Sequence, residues 1–360
     1  MPKTRHRIVA LSLVALAFAA LPAAASASKT MELGIQDDSL VNGNPPVNPA
    51  PLLKSLGIQR ERIIIQWNSV ETSPGSYDMT SWVNAAAAAR IRGHQVNAVL
   101  TGPAPSWASS GSGGFANPDP AKYAAFAQAA SQALAPYVNR YSVWNEPNWL
   151  TLLVPRQTAP QQYAALYSAG APAIRVGDPG SQVLFGEMQP GTKGTKYGYP
   201  PLTFLQKVFC ANSKWQAKCN TGLTADGVAL HPYTLTTAPN KKSKVKGSVT
   251  MANLSALTSA LDKLAKGGGL KPSTGSKMRL YLTEYAYRTT GKQAPSSKNA
   301  AKWLSQAYSI ARKNTRVASL FHYQLFYPPG KPLWNSGIVQ RNGKKTQSFN
   351  SLAKWVKKYR

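Results

Sequence analysis

Two glutamates, Glu146 and Glu284, are placed where apolar segments of the sequence come to an end. Residues 141–144 alternate aromatic and β-branched side chains with a serine, which predicts a short buried strand. This strand must end at Glu146, because Pro147 lacks the N–H group that another ladder hydrogen bond would need. The apolar segment 278–283 ends in the same way at Glu284. The chain contains only 13 acidic residues, so two carboxylates at buried strand ends indicate a chemical role.

Paired carboxylates at one cleft are the groups that cleavage of a glycosidic bond requires. One carboxyl group donates a proton to the leaving oxygen, and the other stabilises or attacks the anomeric carbon. The alternative for Glu146 is a strand-end carboxylate that only accepts local hydrogen bonds. The catalytic interpretation therefore depends on a fold that brings the two strand ends together.

Strands and helices are predicted to alternate along the chain. The predicted strands are 31–35, 62–67, 96–101, 141–144, 183–186, 227–230, 278–283 and 317–326. The predicted helices are 82–92, 120–134, one beginning near 158, 202–209, 254–265, 300–313 and 351–359. Asp119 and Pro120 supply an N-cap and a first-turn proline for the second of these helices.

Eight strand–helix units predict an α/β fold, a (β/α)₈ TIM barrel that forms a single domain over residues 28–360. No GxGxxG or Walker sequence opens any predicted helix, which disfavours an open nucleotide-binding sheet. In a barrel of this type the chemistry lies at the carboxyl ends of the strands. Strands four and seven face each other across the barrel mouth, so Glu146 and Glu284 are expected to converge.

The first 27 residues have the pattern of a secretory signal peptide. Lys3, Arg5 and Arg7 precede an apolar run over 8–21, and small residues lead to a cleavage site after Ala27. An uncleaved membrane anchor is the alternative, although the run is short for a span. We therefore expect a secreted, extracellular protein without stable membrane insertion after cleavage.

Cysteine and histidine usage favours a disulfide over a metal site. Cys210 and Cys219 lie close together in an exported chain, so a structural disulfide is predicted. The four histidines show no HxH or HExxH spacing, and no metal or other cofactor is expected.

The chain is strongly basic, with 42 lysines and arginines and a net charge of +29. Such a balance predicts attraction to polyanions in general, whereas export argues against nucleic acid as the functional partner. Lysines recur in the loops after predicted strands five and six: Lys193, Lys196, Lys241, Lys242, Lys244 and Lys246. They could line subsites for an anionic polysaccharide. Alternatively, the general basicity could retain the protein on an acidic cell wall or matrix.

Several motifs resemble the glycoside hydrolases of clan A, with family 39 as the most similar in character and families 5 and 10 as its neighbours. The run Trp-Asn-Glu-Pro-Asn over 144–148 is similar to the clan's strand-four motif, and Leu-Thr-Glu-Tyr over 282–285 to its strand-seven motif. Similar motifs at 62–71, 105–108 and 231–233 extend the resemblance over most of the chain. The resemblance implies a retaining enzyme with Glu146 as acid/base and Glu284 as nucleophile.

The resemblance also implies a sugar-binding site around the two glutamates. Asn145 would bind the sugar 2-hydroxyl, Arg62 would favour the charged form of the nucleophile, and His231 and Tyr233 would support the site, with Tyr233 bonded to Glu284. The alternatives are structural: an amide that caps the turn for Asn145, a buried counter-ion for Arg62 and a hydrogen-bonded core residue for His231. Four tryptophans that follow strands are predicted sugar-stacking platforms: Trp67, Trp107, Trp149 and Trp334. The clan often has a tryptophan directly after strand eight, and this sequence has none there.

These features predict a monomeric secreted β-glycosidase that acts on an extracellular polysaccharide or oligosaccharide. The competing interpretation is a non-catalytic glycan-binding or wall-associated protein on the same barrel. A protein that had lost catalysis would usually lack one of the two carboxylates, and both are present.

Overall fold

The computed structural model describes residues 31–111, 113–191, 193, 195–275 and 277–360, and the predicted signal segment 1–27 lies outside these residues. Eight strands form its centre: β1 Glu32–Gln36, β2 Arg60–Gln66, β3 Gln95–Thr101, β4 Arg140–Val143, β5 Gln182–Met188, β6 Gly227–Leu230, β7 Leu280–Tyr285 and β8 Val317–Tyr323.

The eight strands close into a parallel barrel in which each strand pairs with its neighbours in sequence. The last strand closes the barrel on the first, with Leu33 opposite Leu320 and Ile35 opposite His322. The predicted (β/α)₈ barrel is confirmed. Every strand therefore ends at the same rim, and the side chains that follow the strands can form a single site.

Helices cover the outside of the barrel. They are α1 Asp38–Val41, α2 Ala50–Ser55, α3 Trp67–Val70, α4 Thr80–Ile91, α5 Pro120–Leu134, α6 Ala159–Gly177, α7 Pro201–Val208, α8 Leu254–Lys266, α9 Ser297–Lys313 and α10 Gln347–Tyr359. Short ribbons pair Glu71–Ser73 with Ser76–Tyr77, and Thr224–Ala225 with Lys271–Pro272. Within the described ranges, no helix is both long and apolar enough to cross a membrane.

Local sequence explains where α5 begins and which face it buries. The Asp119 carboxylate accepts hydrogen bonds from the N–H groups of Ala121 and Lys122, and Pro120 occupies the first turn, as predicted. Tyr123 and Phe126 on its inner face are fully buried and pack against tryptophans that follow β2 and β4. Burying each such ring stabilises the fold by about 1.5–3 kcal/mol.

The predicted disulfide is confirmed, and three strand ends are corrected. Cys210 and Cys219 are joined with their Cα atoms 5.4 Å apart, in the loop after α7. The fifth strand continues to Met188 and does not end at 186, and β8 ends at Tyr323, short of the predicted 326. The seventh strand runs through Glu284 to residue 285 and does not end at 283.

The amino end of the barrel carries an ion cluster in which two buried arginines share Glu32, whose side chain is 29% exposed. Glu32 of β1 accepts hydrogen bonds from Arg60 of β2 at 3.0 Å and from Arg140 of β4 at 2.8 Å. The Arg140 guanidinium also lies over the ring of Tyr281, 4.4 Å from its centroid. Burial alone would raise the pKa of Glu32, but the charges of the two arginines lower it. The two buried guanidinium groups therefore depend on one carboxylate.

Replacing that carboxylate, Glu32→Gln, is expected to lower the free energy of unfolding by about 3 kcal/mol, because it leaves two buried arginines without their counter-charge. Asp262→Asn provides the control, since Asp262 pairs with Arg316 but its side chain is 38% exposed. That change should cost less than about 1 kcal/mol. Urea unfolding at neutral pH measures both values, and equal losses would contradict the assigned role of Glu32.

Candidate active site

Glu146 lies in the turn that follows β4. Its backbone has a conformation that residues with a side chain rarely adopt. Trp144 and Glu146 both have positive φ values, 64° and 44°. The Glu146 N–H donates to the backbone oxygen of Glu187, 3.0 Å away. The Asn148 side-chain amide donates to the backbone oxygens of Gln189 and Tyr199, at 2.9 and 2.8 Å. Strained residues held by surrounding bonds in this way concentrate at functional sites.

The two predicted catalytic carboxylates meet at the barrel mouth. One side-chain atom each of Glu146, His231 and Glu284 lie within 4.8 Å of one another. The Glu146 and Glu284 side chains are 19% and 13% exposed, so both carboxyl groups reach the cleft from a largely buried setting. This proximity fits two carboxyl groups that act on one glycosidic bond, one at the anomeric carbon and the other at the glycosidic oxygen.

The Glu284 carboxylate accepts two hydrogen bonds. Arg62 Nη1 donates to Oε1 at 2.7 Å, and the Tyr233 hydroxyl donates to Oε2 at 3.0 Å. The predicted contact between Tyr233 and Glu284 is therefore present. Arg62 also contacts Gln36, and its Nη2 donates to Asn145 Oδ1 at 2.9 Å. Asn145 also lines the cleft, so its amide nitrogen could donate to a sugar hydroxyl.

Glu146 contacts a buried histidine. Its Oε1 lies 2.8 Å from His231 Nδ1. Burial raises the pKa of Glu146, and the nearby charge of Glu284 raises it further against the lowering effect of His231. A raised pKa favours the protonated form of this carboxyl group, which is the state that a general acid needs.

A third carboxylate, Glu187 at the end of β5, was not predicted from the sequence. It is fully buried and bonded on both oxygens, with Ser142 Oγ 2.5 Å from Oε1 and Thr283 Oγ1 2.5 Å from Oε2. Arg62 Nη2 lies 3.1 Å from Oε2. Burial alone would raise the pKa of Glu187, but the charge of Arg62 and the bond from His231 hold it at about 2. Glu187 is therefore a fixed negative charge beneath the site.

Three surrounding carboxyl groups, those of Glu284, Glu146 and Glu187, hold His231 in its charged form. His231 Nε2 lies 2.8 Å from Glu187, on the opposite edge of the ring from Glu146. Burial would lower the pKa of His231, but the charge of Glu284 and the bonds to Glu146 and Glu187 raise it to about 10. His231 is thus a buried cation that bridges the carboxyl group of Glu146 and the carboxylate of Glu187.

Glu146, His231 and Glu284 form the one group of metal-ligand type found in the described part of the chain. A metal would need the lone pair of a neutral imidazole nitrogen. Both nitrogens of His231 already contact carboxylates at 2.8 Å, and the raised pKa keeps both protonated. The chemistry of these three side chains fits proton transfer and does not fit metal ligation.

Two of the four predicted tryptophan platforms lie away from the cleft. Trp67 is fully buried in the first turn of α3, where its indole donates to Glu71 and stacks on Phe126, so its prediction as a sugar platform is wrong. Trp107 is half-buried and packs edge-on against Trp67, with the Lys122 ammonium 5.4 Å from its ring centroid. It does not line either cavity that contains the two glutamates.

The cleft extends from the glutamates in two directions. One branch, here called the wide arm, has a volume of about 1050 Å³ and is lined by Asn145, Gln66, Trp82 and Asp38, together with the glutamates. The other, here called the basic arm, begins with an inner cavity of about 330 Å³ that the same glutamates share with Trp149, Lys193, Arg288 and Trp334. It continues into an outer cavity of about 420 Å³ with Lys241, Lys242 and Lys244.

Solved structures share this architecture at low sequence identity. A family 39 glycoside hydrolase from the gut symbiont Bacteroides cellulosilyticus WH2 superposes with a TM-score of 0.68 and 17% identity, over 91% of this chain and 64% of that one. A GH5_18 protein from Streptomyces cattleya, solved with GlcNAc, superposes with a TM-score of 0.61 and 13% identity, over 92% of this chain and 81% of that one. The chain has the fold of family 39 and family 5 glycoside hydrolases. An exo-β-1,4-mannosidase from Opitutaceae bacterium strain TAV5 superposes with a TM-score of 0.58 and 15% identity, over 91% of this chain and 59% of that one.

Whole-sequence comparison does not detect this glycoside hydrolase fold, although short motifs of the sequence resemble those of clan A. Comparison of the sequence alone finds no matching family model and no matching curated protein. The chain spans 64% of the length of the family 39 structure and 59% of that of the mannosidase. Tyr323, which ends β8, lines both arms beside the glutamates.

Proposed function

We propose that this protein is a retaining glycosidase that cleaves β-glycosidic bonds by double displacement. The observation that carries the proposal is the pair Glu146 and Glu284, brought within 4.8 Å at the carboxyl ends of β4 and β7 with different surroundings. Glu146 has its pKa raised by burial, and Glu284 is bonded to Arg62 and Tyr233. The similarity of the fold to glycoside hydrolases supports the proposal independently.

In the first step a Glu284 oxygen attacks the anomeric carbon, and the bond from that carbon to the glycosidic oxygen breaks. Glu146 gives its proton to this oxygen, so the departing sugar or aglycone leaves as a neutral alcohol. Asn145 lines the cleft beside both glutamates and would donate to the sugar 2-hydroxyl, a contact that strengthens in the transition state.

In the second step Glu146, now a carboxylate, takes a proton from water. The water oxygen attacks the anomeric carbon, and the ester bond to Glu284 breaks. The two inversions restore the original anomeric configuration, and Glu146 regains the proton with which the cycle began.

The proposed substrate is an extracellular polysaccharide or oligosaccharide. The proposed active form is a secreted monomer from which the signal peptide has been cleaved after Ala27. The basic n-region, apolar run and small residues of the signal segment support secretion. The open cleft on both sides of the glutamates supports a substrate longer than one sugar residue.

Proton NMR of the first product tests the proposal directly. The first-formed sugar should carry the anomeric configuration of the substrate, because carboxyl groups about 5–5.5 Å apart leave no room for a water on the opposite face. A panel of aryl β-glycosides and β-linked oligosaccharides identifies the substrate for this measurement. An inverted product would contradict the two-glutamate assignment, and binding without cleavage across the panel would favour a glycan-binding protein.

A further inference from the structure

The two arms of the cleft differ in charge beyond the glutamates that they share. The described residues that line the wide arm include Asp38 and no lysine or arginine. The inner cavity of the basic arm is lined by Lys193 and Arg288, with no acidic side chain besides the two glutamates in its described lining. An anionic group on a substrate would therefore be attracted to one side of the scissile bond and not to the other.

Arg288, in the loop after β7, is held in this cavity by stacking. Its guanidinium carbon lies 4.5 Å from the ring centroid of Trp334. Trp334 packs edge-on against Tyr233, whose hydroxyl donates to Glu284. The guanidinium is therefore connected to the Glu284 carboxylate by direct contacts through two aromatic rings. Arg288 Nε is buried without a hydrogen-bond partner, and no carboxylate in the described part of the chain lies within 4.0 Å of the group. Among the described residues, Arg288 is therefore an oriented cation without its own counter-ion.

Lys193 supplies a second cation to the same cavity, from the loop after β5. Its ammonium lies 5.8 Å from the ring centroid of Trp149 and 5.5 Å from that of Tyr197. Within the described ranges, it too has no carboxylate within 4.0 Å. The inner cavity thus combines two indole rings, which suit the faces of a sugar, with two unpaired cations.

We infer that the inner cavity of the basic arm binds a sugar residue that carries an anionic group, either the carboxylate of a uronic acid or a sulfate ester. The planar guanidinium of Arg288 matches the paired oxygens of both groups, and Lys193 adds a less directional charge. Lys241, Lys242 and Lys244 continue the positive charge into the outer cavity, which fits a polymer with repeated anionic groups. This inference rests on the proposed glycosidase function, for which it names the substrate class.

Matched oligosaccharides that differ in one substituent test the inference. β-1,4-Glucuronan tetramers and cellotetraose share linkage and stereochemistry and differ only in the carboxylate at C6. The corresponding ligand with a sulfate group is 6-sulfated cellotetraose. A second pair, mannuronan and mannan tetramers, changes the stereochemistry at C2. Calorimetry with the full chain should show at least one anionic member binding about 10-fold or more tightly than its neutral counterpart. Its affinity should fall as salt shortens the Debye length from about 10 Å at 0.1 M to 3 Å at 1 M.

The variants Arg288→Gln and Lys193→Gln locate the preference. Each should weaken binding of the favoured anionic tetramer about 10-fold to 100-fold, the range for hydrogen bonds to charged groups, and change the neutral tetramer less than about threefold. Arg279→Gln is the matched control, because Arg279 is exposed and precedes β7 at the opposite end of the barrel. It should leave both affinities unchanged.

Equal affinity of the parent for charged and neutral members of both pairs would overturn the inference, as would equal losses for both members in Arg288→Gln. Neither result would affect the glycosidase proposal if any β-glycoside is cleaved with retention. Conversely, a preserved anion preference without cleavage of any glycoside would overturn the proposed function and leave the anionic site standing. The tighter of the carboxylated and sulfated ligands identifies the source of the negative charge.

Discussion

Replacing Glu284 with alanine is expected to abolish turnover of every glycoside that the parent protein cleaves, because the oxygen that attacks the anomeric carbon is removed. Azide should restore activity by entering the space that the side chain leaves. Since azide then attacks only once, the product should be a glycosyl azide of inverted configuration. Product analysis by NMR measures the configuration directly.

Glu146→Ala should behave differently, because it removes a proton donor and leaves the nucleophile in place. Its activity should fall about 10²–10⁴-fold on substrates with poor leaving groups and much less on activated aryl glycosides, which need little protonation. Azide should here attack the glycosyl ester on Glu284 and give a retained product.

The control for both variants is Asp262→Asn, which changes a half-exposed ion pair far from the cleft and should keep parental kinetics. If the azide products of the two glutamate variants were exchanged, the roles of acid/base and nucleophile would have to be exchanged as well. If both variants kept parental activity, neither residue would be catalytic.

The largest expected change in stability follows from the buried carboxylate that the sequence did not reveal. Glu187→Gln should lower the free energy of unfolding by about 3–5 kcal/mol, because the buried cations Arg62 and His231 each lose a carboxylate partner. Glu71→Gln is the control: Glu71 is equally buried, but its bonds come from the Trp67 indole and the Gly75 N–H. Losing one charge-assisted acceptor there should cost only about 1–2 kcal/mol in a urea unfolding experiment.

The pH dependence of stability provides a second measurement of the Glu187 contact. The folded pKa of His231 is raised from 6.5 to about 10, so its contribution to stability is complete below pH 6.5 and is lost as the pH rises toward 10. In Glu187→Gln the folded pKa should be raised less, and less stability should be lost over this interval. Urea unfolding of parent and variant at several pH values between 6 and 10 provides the comparison. Parallel curves would show that Glu187 does not hold the proton on His231.

The two catalytic candidates were predictable because the signals that place them are local. An apolar run that ends at a glutamate before Pro147, and a second run that ends at Glu284, are visible in the sequence, and the order of strands and helices supplies the barrel that joins them. The N-cap of α5 and the disulfide were predictable for the same reason.

Glu187 directly follows the predicted strand 183–186, but the sequence does not show that its side chain faces the site, because a bulge in β5 turns it there. Pairing between β5 and β6 changes register between Phe185 and Met188. Gly186 has φ 116°, and a Cβ atom there would lie 2.6 Å from the backbone oxygen of Ala229. Register shifts of this kind depend on the neighbouring strand, so a single strand's sequence does not reveal them.

Trp67 was predicted to face the cleft but is buried, for a related reason. The residue after β2 begins α3, and this first turn directs the indole into the layer between barrel and helices. The sequence places Trp67 at the rim of the barrel but does not determine the direction of its ring. The same uncertainty applies to any aromatic residue in a loop.

The charged residues of the active site have the same net charge in both halves of the proposed reaction. They are Arg62, Glu146, Glu187, His231 and Glu284. At rest, the negative charges of Glu187 and Glu284 balance Arg62 and His231, with Glu146 neutral. In the glycosyl-enzyme, Glu284 is a neutral ester and Glu146 carries the negative charge, so the sum is again zero. The displaced charge moves between two carboxylates that His231 Nδ1 approaches at 2.8 and 3.6 Å. The buried cations can therefore keep their positions throughout the cycle, which reduces the structural rearrangement that each step requires.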